Sequence, residues 1–71
     1  MKKHSVTIAG HRTSISLEEE FWQGLKDLAR DRNKSLADII RQIDRDRGLN
    51  NLSSAIRIAV LDYYKAQIPG K

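Results

Sequence analysis

The chain has no cysteine. That excludes disulfides, thiolate metal sites and a cysteine nucleophile. Aromatic side chains are few, with one Phe, one Trp and two Tyr. Phe21 and Trp22 fall on an apolar helix face, so they read as core rather than as a stacking platform for single-stranded nucleic acid. The two histidines, His4 and His11, have no carboxylate near them in sequence and make a poor metal set. No His–Asp constellation accompanies the serines, which argues against nucleophilic catalysis, and a chain this small offers no room for a ligand pocket. No apolar run approaches the ~20 residues that span a bilayer. No continuous apolar stretch follows Lys2 and Lys3, so no signal peptide is expected and the cytoplasm is the expected compartment.

With 71 residues there is one domain at most. Folding alone, such a chain buries only about 60 % of its unfolded surface. Without cross-links or metal, oligomerisation is the remaining common remedy. A hydrophobic share of 39 % is too high for a disordered tail and fits a soluble folded domain.

The net charge of +4 is unevenly placed: three of those charges, on Lys2, Lys3 and Arg12, lie in residues 1–14, which contain no acid. A basic arm over residues 1–4 beside a nearly neutral body suits a polyanion partner; its plain alternative is a solubilising tail. The later arginines, Arg30, Arg32, Arg41, Arg45 and Arg47, alternate with Asp27, Asp31, Asp38, Asp44 and Asp46 and read as ion-paired surface.

Residues 5–17 alternate. Val6 and Ile8 interleave with Ser5 and Thr7, then Thr13, Ile15 and Leu17 with Arg12, Ser14 and Ser16. Period two with β-branched residues predicts a half-buried strand region, which Gly10 interrupts as a bulge, a bend or a turn. Helices follow at about 18–32, 35–47 and 51–67. The first carries Phe21, Trp22, Leu25, Leu28 and Ala29 on one face, with Glu18, Glu19 and Glu20 at its positive end. Ser16 and Glu19 have capping-box spacing, and Asn33 suits a left-handed stop. Ser35 is an N-cap for the second helix, whose stripe is Leu36, Ile39, Ile40 and Ile43; Gly48 ends it. The third helix buries Leu52, Ala55, Ile56, Ala59, Val60 and Tyr63, leaving Ile58 and Leu61 off the stripe. A helix apolar on more than one side calls for a second subunit. An isolated strand is not stable either. It must pair through Gly10 within its own chain, or across a two-fold axis with a second chain.

Strand, helix, short turn, helix resembles the ribbon-helix-helix family, the Arc/MetJ-like repressors. The resemblance rests on residues 12–41: the alternating strand, the Leu25, Leu28, Ala29 stripe, and Ser35 opening the next helix. Gly10-His11-Arg12-Thr13-Ser14, Leu17 to Trp22, and Leu52-Ser53-Ser54-Ala55 are further similar to a small bacterial branch with an added C-terminal helix. Residues 51–57 would themselves pass for the family's second helix, so the helix register has two readings.

The resemblance implies a mostly α fold with one N-terminal strand: an intertwined homodimer with an intersubunit antiparallel ribbon, plus a third helix. It implies a dimer core of Ile15, Leu17, Phe21, Trp22, Leu25, Leu28, Ile39, Ile40, Ile43, Ile56 and Val60. The ribbon is expected in the DNA major groove, where Arg12, Ser14 and Ser16 face base edges; the plain alternative is a solvated strand face, and Ser16 has the helix cap as another. Phosphate contacts are expected from Lys34, Ser35 and Leu36 at the start of the second helix, and from Lys2, Lys3 and His11. The function implied is a cytoplasmic, sequence-specific bacterial transcriptional regulator, a repressor with no enzymatic activity, cofactor or metal, alone or as several dimers on double-stranded DNA. Two other readings stand beside it: an antitoxin-like protein that also binds a protein partner through its C-terminal helix, and a helical interaction module that never binds DNA.

Overall fold

The computed structural model describes residues 1–68. Two strands, β1 (Lys2–Ile8) and β2 (His11–Leu17), form an antiparallel hairpin, followed by α1 (Glu19–Asp31), α2 (Leu36–Asp46) and α3 (Leu52–Lys65). The helices thus match their expected ranges to within two residues at each end. Among the described residues no helix is long and apolar enough to cross a membrane.

Two expectations change here. The structure pairs the strands within one chain, from Lys2 opposite Leu17 to Ile8 opposite His11, where the resemblance implies one strand per chain. Residues 2–4 are strand rather than a free basic arm, because β2 is long enough to pair with all of them. Gly10 is a turn, not a bulge. Ala9 (φ 51°) and Gly10 (φ 82°) both take positive φ, as the two-residue turns that match strand twist require. Gly10 adopts this freely, whereas Ala9 carries a Cβ there at a cost of about 1–2 kcal/mol.

The helix ends have local causes. Asn33 takes φ 56°, its N–H bonds Arg30 O at 3.1 Å, and the Lys34 N–H bonds Ala29 O at 3.0 Å, a Schellman close to α1. Ser35 Oγ accepts the Asp38 N–H at 3.1 Å, and Asn51 Oδ1 accepts the Ser54 N–H at 2.8 Å. Ser16 does not cap α1. Glu18 occupies the N-cap position without a capping side-chain bond, and its carboxylate turns to Arg57 of α3, at 2.8 and 3.2 Å.

Alternation sends Ile15 and Leu17 into a core completed by Trp22, Leu25, Leu28, Ala29, Ile39, Ile40, Ile56 and Val60. Phe21 and Ile43 are only partly buried. The side chains expected at a dimer core are therefore packed first within one chain. Gly24 lets α1 and α3 approach closely: a Cβ there would stand 2.6 Å from Val60 Cγ1. Tyr64 Oη donates to Asp27 at 2.8 Å and Tyr63 Oη to Asp31, two more ties between these helices. On the other side, the His4 ring of β1 lies flat on Trp22, with centroids 3.8 Å apart and planes 8° from parallel.

The Glu18–Arg57 pair makes a pH prediction. The hydrogen bond from Arg57 holds the Glu18 carboxyl below its ordinary 4.5. A depressed folded-state value means that this stabilisation is complete above about pH 4.5 and is lost as pH falls through the lowered value. Glu18→Gln is expected to flatten that part of the acid limb. Urea midpoints from pH 3 to 6 measure it; an unchanged slope would show that the pair is not held in solution.

Candidate nucleic-acid interface

The pleat divides the hairpin into two faces. The inner face carries His4, Val6, Ile8, Thr13, Ile15 and Leu17, packed toward the helices. The outer face carries Lys3, Ser5 and Thr7 from β1 and Arg12, Ser14 and Ser16 from β2. Cross-strand register sets these six as three rungs: Lys3 opposite Ser16, Ser5 opposite Ser14, and Thr7 opposite Arg12. No rung holds an apolar side chain or an acid. Four hydroxyls and two cations make a face that can both donate and accept hydrogen bonds under a positive potential.

The arginines fall into two groups. Arg30, Arg41, Arg45, Arg47 and Arg57 each lie within ion-pair distance of a carboxylate, from 2.7 Å for Arg47 with Asp44 to 3.9 Å for Arg45 with Asp46. The ion-paired reading thus fits four of the five alternating arginines; among the described residues Arg32 makes no such pair. Among the described residues Lys3 and Arg12 pair with no acid, so the charge of the outer face is uncommitted. Arg12 is exposed, Ser14 is exposed and Ser16 is half-buried. The backbone carbonyl of Ser16 accepts from Ser53 Oγ at 3.0 Å, which ties the end of β2 to α3 and steadies the Lys3–Ser16 rung.

The residues expected on phosphate do not gather at one place. Lys3 joins the outer face. Lys2 is in phase with the inner face and lies with Glu18, Glu19 and Glu20 around a small surface recess, where its charge helps keep the Glu19 carboxyl below its usual range, behind the larger effect of the Gln23 hydrogen bond. A lysine so placed is a poor phosphate ligand. His11 also follows the inner-face phase, exposed beside the turn. Lys34, Ser35 and Leu36 form a separate site at the start of α2. Lys34 and Ser35 are exposed, and the Ser35 hydroxyl already serves the Asp38 N–H. Ser5 and Thr7 have no assigned role in the sequence reading, although the alternation that places Val6 and Ile8 inward places them outward.

The sequence offers no ligand pocket, but the folded chain has a groove of about 650 Å³ between α2 and α3, bordered by the end of α1. Its apolar lining includes Ile39, Ile43, Ala55, Ile58 and Ala59. Ile58 and Leu61, the two residues off the α3 stripe, are half exposed. Among the described residues no three histidine, aspartate or glutamate side chains gather as a metal site.

A strand, β2, that leads into the α1–turn–α2 pair follows the element order of a ribbon-helix-helix domain. The sequence profile of that domain matches residues 1–64, and the chain belongs to the ribbon-helix-helix family. Members are typically DNA-binding regulators without enzymatic activity. No curated protein and no solved structure matches the chain significantly.

Proposed function

We propose that this protein is a homodimeric, sequence-specific DNA-binding regulator that lays the outer face of its ribbon in the major groove. A two-stranded ribbon fits that groove, and base edges there carry distinguishable donor and acceptor patterns. The observation that carries the reading is the unpaired, acid-free outer face, in a molecule whose other strand face is spent on the core. Arg12 is the base-reading side chain of choice, since guanidinium donors match guanine O6 and N7 together. Ser14 and Ser16 add single hydroxyl contacts. Lys34 and the free amides at the start of α2 suit a phosphate and set position rather than sequence. Such a protein acts in the cytoplasm of a bacterial cell as a repressor, by occupying its operator.

Titration against the protein's own upstream DNA, at about 0.15 M salt with excess competitor DNA, tests the proposal. Binding that survives the competitor supports it. Binding that the competitor abolishes reduces the interaction to non-specific charge attraction and overturns the sequence-specific reading for that DNA.

The dimer is proposed on the α2–α3 face. A half-exposed Ile58 and Leu61 beside an apolar groove suit a second copy of a chain too small to be generously stable by itself. Ile58→Glu is expected to convert dimer to monomer in sedimentation, with helical content retained. A wild-type chain that sediments as a monomer would move this face to a different protein partner, the antitoxin-like alternative.

A further inference from the structure

We infer that β1, and not only β2, reads DNA sequence, with Thr7 as its principal specificity residue and Ser5 as the second. The inference rests on the proposed function and extends its site to a strand that carried no assigned role.

The argument starts from the in-chain hairpin. A ribbon of two identical strands presents one set of outward residues twice. Here the strands differ, so the outer face holds two sets, Arg12, Ser14, Ser16 and Lys3, Ser5, Thr7. Directly opposed side chains start about 5 Å apart. Thr7 therefore stands beside Arg12 on one rung, and whatever base pair the Arg12 guanidinium reaches, Thr7 is within reach of it or its neighbour. Same-face positions along a strand repeat every ~6.8 Å. Three rungs span roughly 14 Å, or about four base-pair steps of 3.4 Å. An account that uses β2 alone leaves half of that face against the groove with no partner.

The side chains suit the task. Threonine offers a hydroxyl that donates or accepts and a methyl that packs on the thymine methyl. Thr7 and Ser5 are both exposed. Lys3, on the far rung, is longer and suits a phosphate at the groove edge.

The test is site selection from a randomised duplex pool by the wild-type protein and by the Arg12→Ala, Thr7→Val, Thr7→Ser and Ser5→Ala variants, with thermal unfolding as a check of folding. All three positions are on the outer face, so the four variants are expected to fold. Thr7→Val keeps the bulk and loses the hydroxyl, whereas Thr7→Ser keeps the hydroxyl and loses the methyl. Relaxed preference in the β1 variants, about fivefold, at the base pair relaxed by Arg12→Ala or at its neighbour is the expected result. If Arg12→Ala relaxes the site while every β1 variant selects the wild-type sequence, β1 does not read bases; the inference is overturned and the proposed function stands. If the wild-type protein selects no sequence, the proposed function fails and the inference with it.

Discussion

Leu25→Ala is expected to cost the isolated chain about 2–5 kcal/mol, a large share of its folding stability. Leu25 has no exposed surface and stands in α1 at the centre of the core. Truncating a buried leucine costs about 2–5 kcal/mol, the transfer of the lost atoms plus the cavity they leave. A domain of this length has roughly 4–11 kcal/mol in total, from 0.05–0.15 kcal/mol per residue. The neighbours have little freedom to refill the space, because the close α1–α3 crossing at Gly24 and the tyrosine ties hold the helices in place. Urea denaturation at fixed protein concentration and without DNA measures the loss, since dimer or DNA binding would mask it by mass action. A cost below about 1 kcal/mol would contradict this packing.

Arg12→Ala is expected to weaken binding at the cognate DNA site by about 1–3 kcal/mol, some five- to 150-fold, with no change in folding. The size follows from losing both donors of a guanine contact. Arg41→Ala is the matched control. It removes the same charge, but from a side chain held at 3.1 Å by Asp38 on the helix surface. Long-range charge alone would make the two variants alike. Base reading makes Arg12→Ala much the worse on the cognate duplex, and nearly equal to Arg41→Ala on unrelated DNA. Equal losses on the cognate duplex would refute the assignment of Arg12.

The features legible in the sequence are those with causes close by in the chain. Ile15 and Leu17 point inward because the pleat has period two, and the sequence carries that period openly. Asn33 and Ser35 mark helix ends because one side chain or one left-handed residue suffices. The rest needed a partner far along the chain. Lys2 and Lys3 have no strand signature of their own; they are strand because Leu17 and Ser16 lie opposite. The turn is not legible because an alanine takes positive φ beside Gly10, which composition alone does not suggest. Ser16 has capping spacing in the sequence, yet Glu18 takes the N-cap position and bonds Arg57, 39 residues away. The candidate site was half legible for the same reason. Arg12, Ser14 and Ser16 follow from their own strand, whereas Ser5 and Thr7 gain meaning only from register.

The stacked His4 and Trp22 give the molecule a built-in optical gauge. Trp22 is the single tryptophan of the chain, so its emission has one source. Its ring is covered by a residue of the strand that lies farthest from α1 in sequence order, and only 8 % of Trp22 is exposed. Lifting the ribbon from the helices bares the indole to water and shifts its emission to longer wavelength. Movements of the hairpin, on or off DNA, can thus be followed in the unlabelled protein by light alone.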